Sequence, residues 1–210
     1  MAKPLIVLSI PFKGAKTSLR SLSAPEADLV ELRLDYADTL DLGLLGRFED
    51  FKRKLLLTVR DVQEGGVRPI PPEAKRSFLV RAIDRGFTCD VEARFAKNFG
   101  VPYEGQIVSF HSLQRVPTLD ELKRELYDFR ETLLKIVVPA KGGYRSLLTS
   151  ALETFPNCAV MPYGGDPLER IAFSLLGSKL IYAFSEEKTA EGQLELKRAR
   201  KLVEALFGRI

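Results

Sequence analysis

Eight short apolar runs rich in β-branched and aromatic residues recur along the chain, at residues 5–10, 29–35, 54–60, 88–93, 106–111, 133–138, 158–163 and 179–184. Most are separated by a helical pattern. Pro71-Pro72-Glu73 opens one helix, with Phe78, Leu79, Ala82 and Ile83 on a single stripe. Thr118-Leu119-Asp120-Glu121 reads as a capping box ahead of Leu122, Leu126 and Phe129. Asp166-Pro167 offers an N-cap with proline at the first helical position. Residues 193–207 form an amphipathic C-terminal helix carrying Leu196, Ala199, Leu202, Val203 and Leu206. Strand then helix, repeated at about 25-residue spacing, calls for parallel strands joined by crossovers. In a single domain over residues 1–210 the simplest closure is a compact α/β fold, the parallel (β/α)8 TIM barrel. A doubly wound open sheet is the alternative. The helical parts after the first and fourth runs are short.

Composition bounds the partners. Hydrophobic residues at 45% and charged residues at 29% describe an ordinary soluble chain. The net charge of +4 suits a small anionic substrate, and no block of five like charges or aromatic–basic motif points to nucleic acid. No apolar span reaches membrane length, and the stretch before Pro11 is too short for a signal core. The expectation is a soluble cytoplasmic protein without nucleic-acid or membrane partners. Cys89 and Cys158 lie inside apolar runs and read as buried thiols. A single histidine excludes a multi-histidine metal site. No separate interface stripe stands out, which leaves a homodimer open.

Polar residues inside the strands mark the candidate site. Side chains alternate faces along a strand, so Glu31, Arg33 and Asp35 share one face while Val30, Leu32 and Leu34 share the other. The apolar row faces the helices, and the charged row therefore points into the barrel. Thr58 and Arg60, Asp90 and Glu92, and Ser109 and His111 repeat the pattern. A barrel interior is normally filled by branched apolar residues, so charges at several strand ends read as a site at the carboxyl face. Lys135 lies within Leu133-Leu134-Lys135-Ile136-Val137-Val138. Burial there favours the neutral amine, the form that attacks carbonyls. His111 ends the preceding strand and can move protons in both directions near neutrality. Glu64, ahead of Gly65-Gly66, can orient that imidazole from a loop over the barrel mouth. Arg170 lies on the first turn after Gly164-Gly165-Asp166-Pro167 and can meet a carboxylate through a two-bond fork. Residues 185–193, with Gly192 as hinge, can form a lid.

At these residues the sequence resembles the type I 3-dehydroquinate dehydratases, over nearly its whole length. Glu31-Leu32-Arg33-Leu34-Asp35 matches the family's E-x-R-x-D strand. Thr58-Val59-Arg60 with Glu64-Gly65-Gly66 matches T-x-R and E-G-G, and Ser109-Phe110-His111 matches S-x-H. Lys135-Ile136-Val137-Val138 matches K-I-x-V, and Arg170-Ile171 matches R-I. Thr189-Ala190-Glu191-Gly192-Gln193 resembles the S-A-P-G-Q lid. The departures are Thr189 for serine, Glu191 for proline, Glu169 for the serine before Arg170, and Pro139 one residue early. With Glu191 in place of proline, a looser lid is expected.

The resemblance implies dehydration of 3-dehydroquinate to 3-dehydroshikimate in the shikimate pathway, through a Schiff base and without metal or organic cofactor. It implies Lys135 as the imine-forming amine, His111 as acid and base, and Glu64 as the group orienting it. Arg170 would pair with the substrate carboxylate, Thr189 and Gln193 would add lid contacts, and Glu31, Arg33 and Arg60 would bind ring hydroxyls. The arginines would also repel a protonated Lys135. Two other readings remain: a class I aldolase-type Schiff-base barrel, and a non-catalytic barrel that binds an acidic metabolite.

Overall fold

The computed structural model describes residues 2–14, 17 and 22–208. Nine parallel strands form one sheet: β1 (Leu5–Pro11), β2 (Leu29–Arg33), β3 (Leu55–Thr58), β4 (Thr88–Glu92), β5 (Ile107–His111), β6 (Leu133–Pro139), β7 (Cys158–Tyr163), β8 (Leu180–Phe184) and β9 (Leu194–Glu195). The order β7-β6-β5-β4-β3-β2-β1-β8-β9 curls the sheet into a barrel. Among the described residues no ladder joins β7 to β8. That seam is held by Lys179 N–H donating to the Cys158 carbonyl at 3.0 Å and Val160 N–H donating to Ser178 Oγ at 3.0 Å. The helices are α1 (Leu44–Phe48), α2 (Pro72–Asp84), α3 (Ala93–Phe99), α4 (Leu119–Leu126), α5 (Tyr144–Thr154), α6 (Leu168–Leu175) and α7 (Leu196–Phe207). The fold is the expected (β/α)8 barrel, with β9 as a short ninth strand.

Strand parity sorts the side chains into two layers. Val30, Leu32, Leu57, Cys89, Val108, Ile136 and Val160 pack outward in the helix–sheet core. Val7, Leu56, Ile107, Ala159 and Leu180 plug the amino-terminal half of the barrel interior. Fully burying one such aliphatic side chain stabilises the fold by about 1.5–3 kcal/mol. A one-residue slip of β2 would bring Glu31 and Arg33 into the outer layer, so the register is strongly specified. Both cysteines are buried free thiols.

Several element ends differ from the expected ones. β2 stops at Arg33, and Asp35 falls in a 3-10 turn over Leu34–Tyr36, where its carboxylate accepts two bonds from Arg33 at 2.8 Å each. The C-terminal helix starts at Leu196 rather than 193, because Glu195 caps it by accepting from Lys197 and Arg198 N–H. Leu206 is exposed and Phe207 takes its place in the core. The Thr118–Glu121 capping box forms as read. Asp166 accepts from Leu168 N–H at 2.9 Å and so caps α6. The short connection after β1 lies partly outside the described residues.

Candidate active site

The carboxyl ends of the strands open on one pocket, and all nine residues singled out from the sequence line it: Glu31, Arg33, Arg60, Glu64, His111, Lys135, Arg170, Thr189 and Gln193. Lys135 points inward from the third position of β6 and is 5% exposed. Its ammonium donates to Asp90 Oδ2 at 2.8 Å, lies 3.7 Å from Glu31 Oε1, and sits 4.2 Å from the centre of the Tyr182 ring. Glu31 also accepts from Thr58 Oγ1 at 2.8 Å and from Ser9 Oγ.

A charge network lies behind Lys135. Arg60 reaches Asp90 at 2.7 Å as a charge contact rather than an aligned hydrogen bond, and Glu92 at 3.3 Å. It donates to Ser109 Oγ at 2.8 Å. Lys75, from the first turn of α2, is buried against Glu92 at 2.7 Å. Burial alone would raise the Asp90 carboxyl, but Arg60 and Lys135 beside it hold it well below the usual carboxylate range. Arg33 is answered by Asp35, and Asp90 stands between Arg60 and Lys135.

His111 is one pleat further up β5, beside Val137, which makes it a diagonal neighbour of Lys135. Its Nδ1 is 2.9 Å from Glu64 Oε2, which also accepts the His111 backbone N–H at 3.0 Å. Burial first, then Arg60 and Lys135, push the imidazole well below its ordinary pKa. It is therefore neutral at neutral pH, a form that can accept a proton. Burial and then Glu92 raise the Glu64 carboxyl to about 8. Glu64 comes from a 3-10 turn, Val62–Glu64, closed by Gly65 at φ 93°. Gly66 is required there, since a Cβ would meet the Arg60 carbonyl at 2.2 Å.

Arg170 enters from α6, across the seam. Burial lowers its guanidinium to about 10. It donates to the Glu191 carbonyl at 2.9 Å and weakly to the Tyr182 carbonyl at 3.4 Å, while Nε has no partner and no carboxylate lies within ion-pair distance among the described residues. The segment after β8 folds over the mouth. Gln193 Oε1 accepts from Thr189 and Ala190 N–H, its Nε2 donates to Thr189 Oγ1 at 3.0 Å, and Thr189 Oγ1 meets Ser9 Oγ at 2.6 Å. The bond to Arg170 uses the Glu191 backbone carbonyl and so does not depend on the side chain that replaces proline. Glu169, another of the four departures, accepts from Tyr144 Oη at 2.6 Å and pairs with Arg145 at 2.7 Å, tying α6 to α5. Sequence reasoning missed Ser9, Tyr182 and Lys75, and gave Asp90 no task. For Ser9 and Tyr182 the available signal was inward parity, shared with Val7 and Leu180.

A parallel (β/α)8 barrel with a strand-borne lysine, an imidazole held by a glutamate carboxyl and a guanidinium without a carboxylate partner among the described residues in one mouth defines a class of barrel with lysine-centred sites. The family model described as type I 3-dehydroquinase matches residues 6–145. The 3-dehydroquinate dehydratase of Sulfolobus acidocaldarius is 45% identical, over 97% of this chain and 94% of its own. That of Saccharolobus solfataricus is 38% identical, over 93% and 91%. The crystal structure of 3-dehydroquinate dehydratase from Geobacillus kaustophilus superposes with a TM-score of 0.77 at 20% identity, covering 99% of this chain and 93% of that one, which shows the shared fold. The chain belongs to the type I 3-dehydroquinase family. Among the described residues no helix is long and apolar enough to cross a membrane.

Proposed function

We propose that this chain is a 3-dehydroquinate dehydratase that eliminates water from 3-dehydroquinate through an imine on Lys135, in the shikimate route to aromatic amino acids. The whole barrel, residues 1–210, is its catalytic domain, and the cytoplasm is its place of work. The observation that carries the reading is that Arg170, with no carboxylate partner among the described residues, shares a pocket with Lys135 and neutral His111.

Arg170 takes the substrate carboxylate in a forked pair and so points the ring ketone at Lys135. The Lys135 nitrogen forms a C–N bond and the ketone oxygen leaves as water. The resulting iminium withdraws electrons and acidifies the neighbouring C–H bond. His111 Nε2 removes that proton while Glu64 holds the ring by Nδ1. The C–H electron pair forms a double bond, and His111 returns the proton to the departing hydroxyl as the C–O bond breaks. Water then releases the product from Lys135. Glu31, Arg33 and Arg60 bind ring hydroxyls, and Thr189 and Gln193 close the mouth over them. No organic cofactor or metal takes part in this scheme. The partner at the site is the small-molecule substrate.

Incubation with 3-dehydroquinate and borohydride, followed by peptide mass mapping, tests the scheme. The expected result is an irreversible adduct on the Lys135 peptide with matching loss of activity. An active enzyme whose Lys135 peptide stays unmodified refutes it.

A further inference from the structure

The floor of the pocket holds one hydroxyl that the scheme above does not use. Tyr182 stands on β8 beside Val7, faces inward, lines the pocket and is 3% exposed. Its hydroxyl has no hydrogen-bond partner among the described residues. A buried O–H left unpaired is costly, and such groups in a binding pocket are commonly satisfied by what binds there. Three other hydroxyls nearby are committed: Ser9 and Thr58 donate to Glu31, and Ser109 donates to Asp90. The Lys135 ammonium lies over the face of the Tyr182 ring, with carboxylates on its other sides.

An oxygen that gains electrons beside Lys135 therefore meets acceptors at Asp90 and Glu31. Neither carboxylate can stabilise it while ionised. When the amine adds to a ketone, the C–N bond forms and the carbonyl π pair moves onto oxygen. That oxygen takes a proton from the nitrogen. The C–O bond then breaks as the oxygen takes the proton that the ammonium had passed to a neighbouring carboxylate before the amine attacked, leaving C=N–H⁺ and water, so both hydrogens of the water come from the ammonium. A neutral donor on the floor suits the oxygen through this sequence.

Resting on the imine reading, we propose that Tyr182 is a catalytic residue whose hydroxyl donates a hydrogen bond to the ketone-derived oxygen while the imine on Lys135 forms and hydrolyses. The phenol keeps its own proton throughout. Burial, Glu31 and Asp90 all disfavour the phenolate.

Tyr182→Phe keeps the ring under Lys135 and removes only the hydroxyl. Turnover of 3-dehydroquinate, the rate at which borohydride-trapped adduct accumulates on Lys135, and the melting temperature are measured on both proteins. The expected result is a 10- to 100-fold fall in kcat/KM and an equal fall in the trapping rate. The melting temperature stays level or rises, since an unsatisfied buried group is lost. A kcat/KM within twofold of the parent overturns the proposal. So does slow turnover with trapping at the parent rate, and so does a lowered melting temperature, which would make the hydroxyl structural. If the parent protein neither turns over 3-dehydroquinate nor is trapped, the dehydratase reading itself is overturned. An active, trapped parent matched by the variant overturns only the part given to Tyr182.

Discussion

Replacing Arg170 by Met is expected to make the protein more stable and far less active. The guanidinium is buried with two carbonyl contacts and no counter-charge among the described residues. Burial takes it from 12.5 to about 10. At 1.36 kcal/mol per pH unit the folded protein carries roughly 3 kcal/mol of destabilisation from this group. The sign follows from the depressed pKa of a cation: the cost is fully present below about pH 10 and fades as pH rises towards 12.5. Methionine fills much of the volume and removes that cost. Loss of the bond to Glu191 returns about 1 kcal/mol, so the net gain is about 1–2 kcal/mol, or roughly 2–8 °C in Tm for a chain of this size. On the functional side, two charge-assisted bonds to a substrate carboxylate are lost. At about 1.5–3 kcal/mol each, kcat/KM falls by roughly 150- to 25,000-fold, mainly through KM. Thermal melting and an ultraviolet assay of the conjugated enone product measure both effects. A lower Tm, or a loss in kcat/KM below tenfold, refutes the assignment of Arg170 as an anion receptor held ready at a cost in stability.

The Glu64–His111 pair gives a second expectation. Below about pH 6.5 the unfolded imidazole takes a proton that the folded one refuses, so His111 alone makes stability fall with falling pH. Glu64, raised from 4.5 to about 8, works oppositely: the folded carboxyl binds a proton that the unfolded one does not, adding stability as pH falls from 8 towards 4.5. The two slopes cancel between 4.5 and 6.5. Glu64→Gln should expose a loss approaching 1.4 kcal/mol per pH unit there in urea titrations, and a flat profile would refute the pairing. Lys75→Met leaves Glu92 buried beside Arg60 without its ammonium and is expected to cost about 3–5 kcal/mol in denaturant unfolding. Adding Glu92→Gln should restore more than half, and a double variant as unstable as the single one would refute the charge argument.

Strand parity made most of the site legible in advance. Glu31, Arg33, Arg60, His111 and Lys135 alternate with apolar residues that could only face the helices, so their direction was decided by the cost of burying charge in the outer layer. The pairing among them was not legible. Asp90 meets Lys135 and Arg60, rather than some other cation, because the parallel register carries β4, β5 and β6 past one another with a fixed stagger. Spacing along the chain does not reveal that stagger. Tyr182 and Ser9 were hidden for a different reason, since a tyrosine or serine in an apolar run looks like an ordinary strand residue. The start of α7 moved because the amide of Gln193 is engaged by Thr189 and Ala190, which leaves the capping to Glu195.

The seam between β7 and β8 divides the pocket's labour. Lys135, His111, Glu31 and Asp90 belong to strands joined by uninterrupted ladders, where movement of one strand drags its neighbours. Arg170 and the lid approach from the elements that flank the break. Among the described residues the ladder is broken there, and the break borders the groups that hold the substrate in the proposed scheme. Loosening there changes how the mouth holds a ring without disturbing the distance between lysine and histidine. A search for variants with altered ring-substituent preference is best aimed at residues on either side of that break, where backbone shifts leave the reacting pair in register.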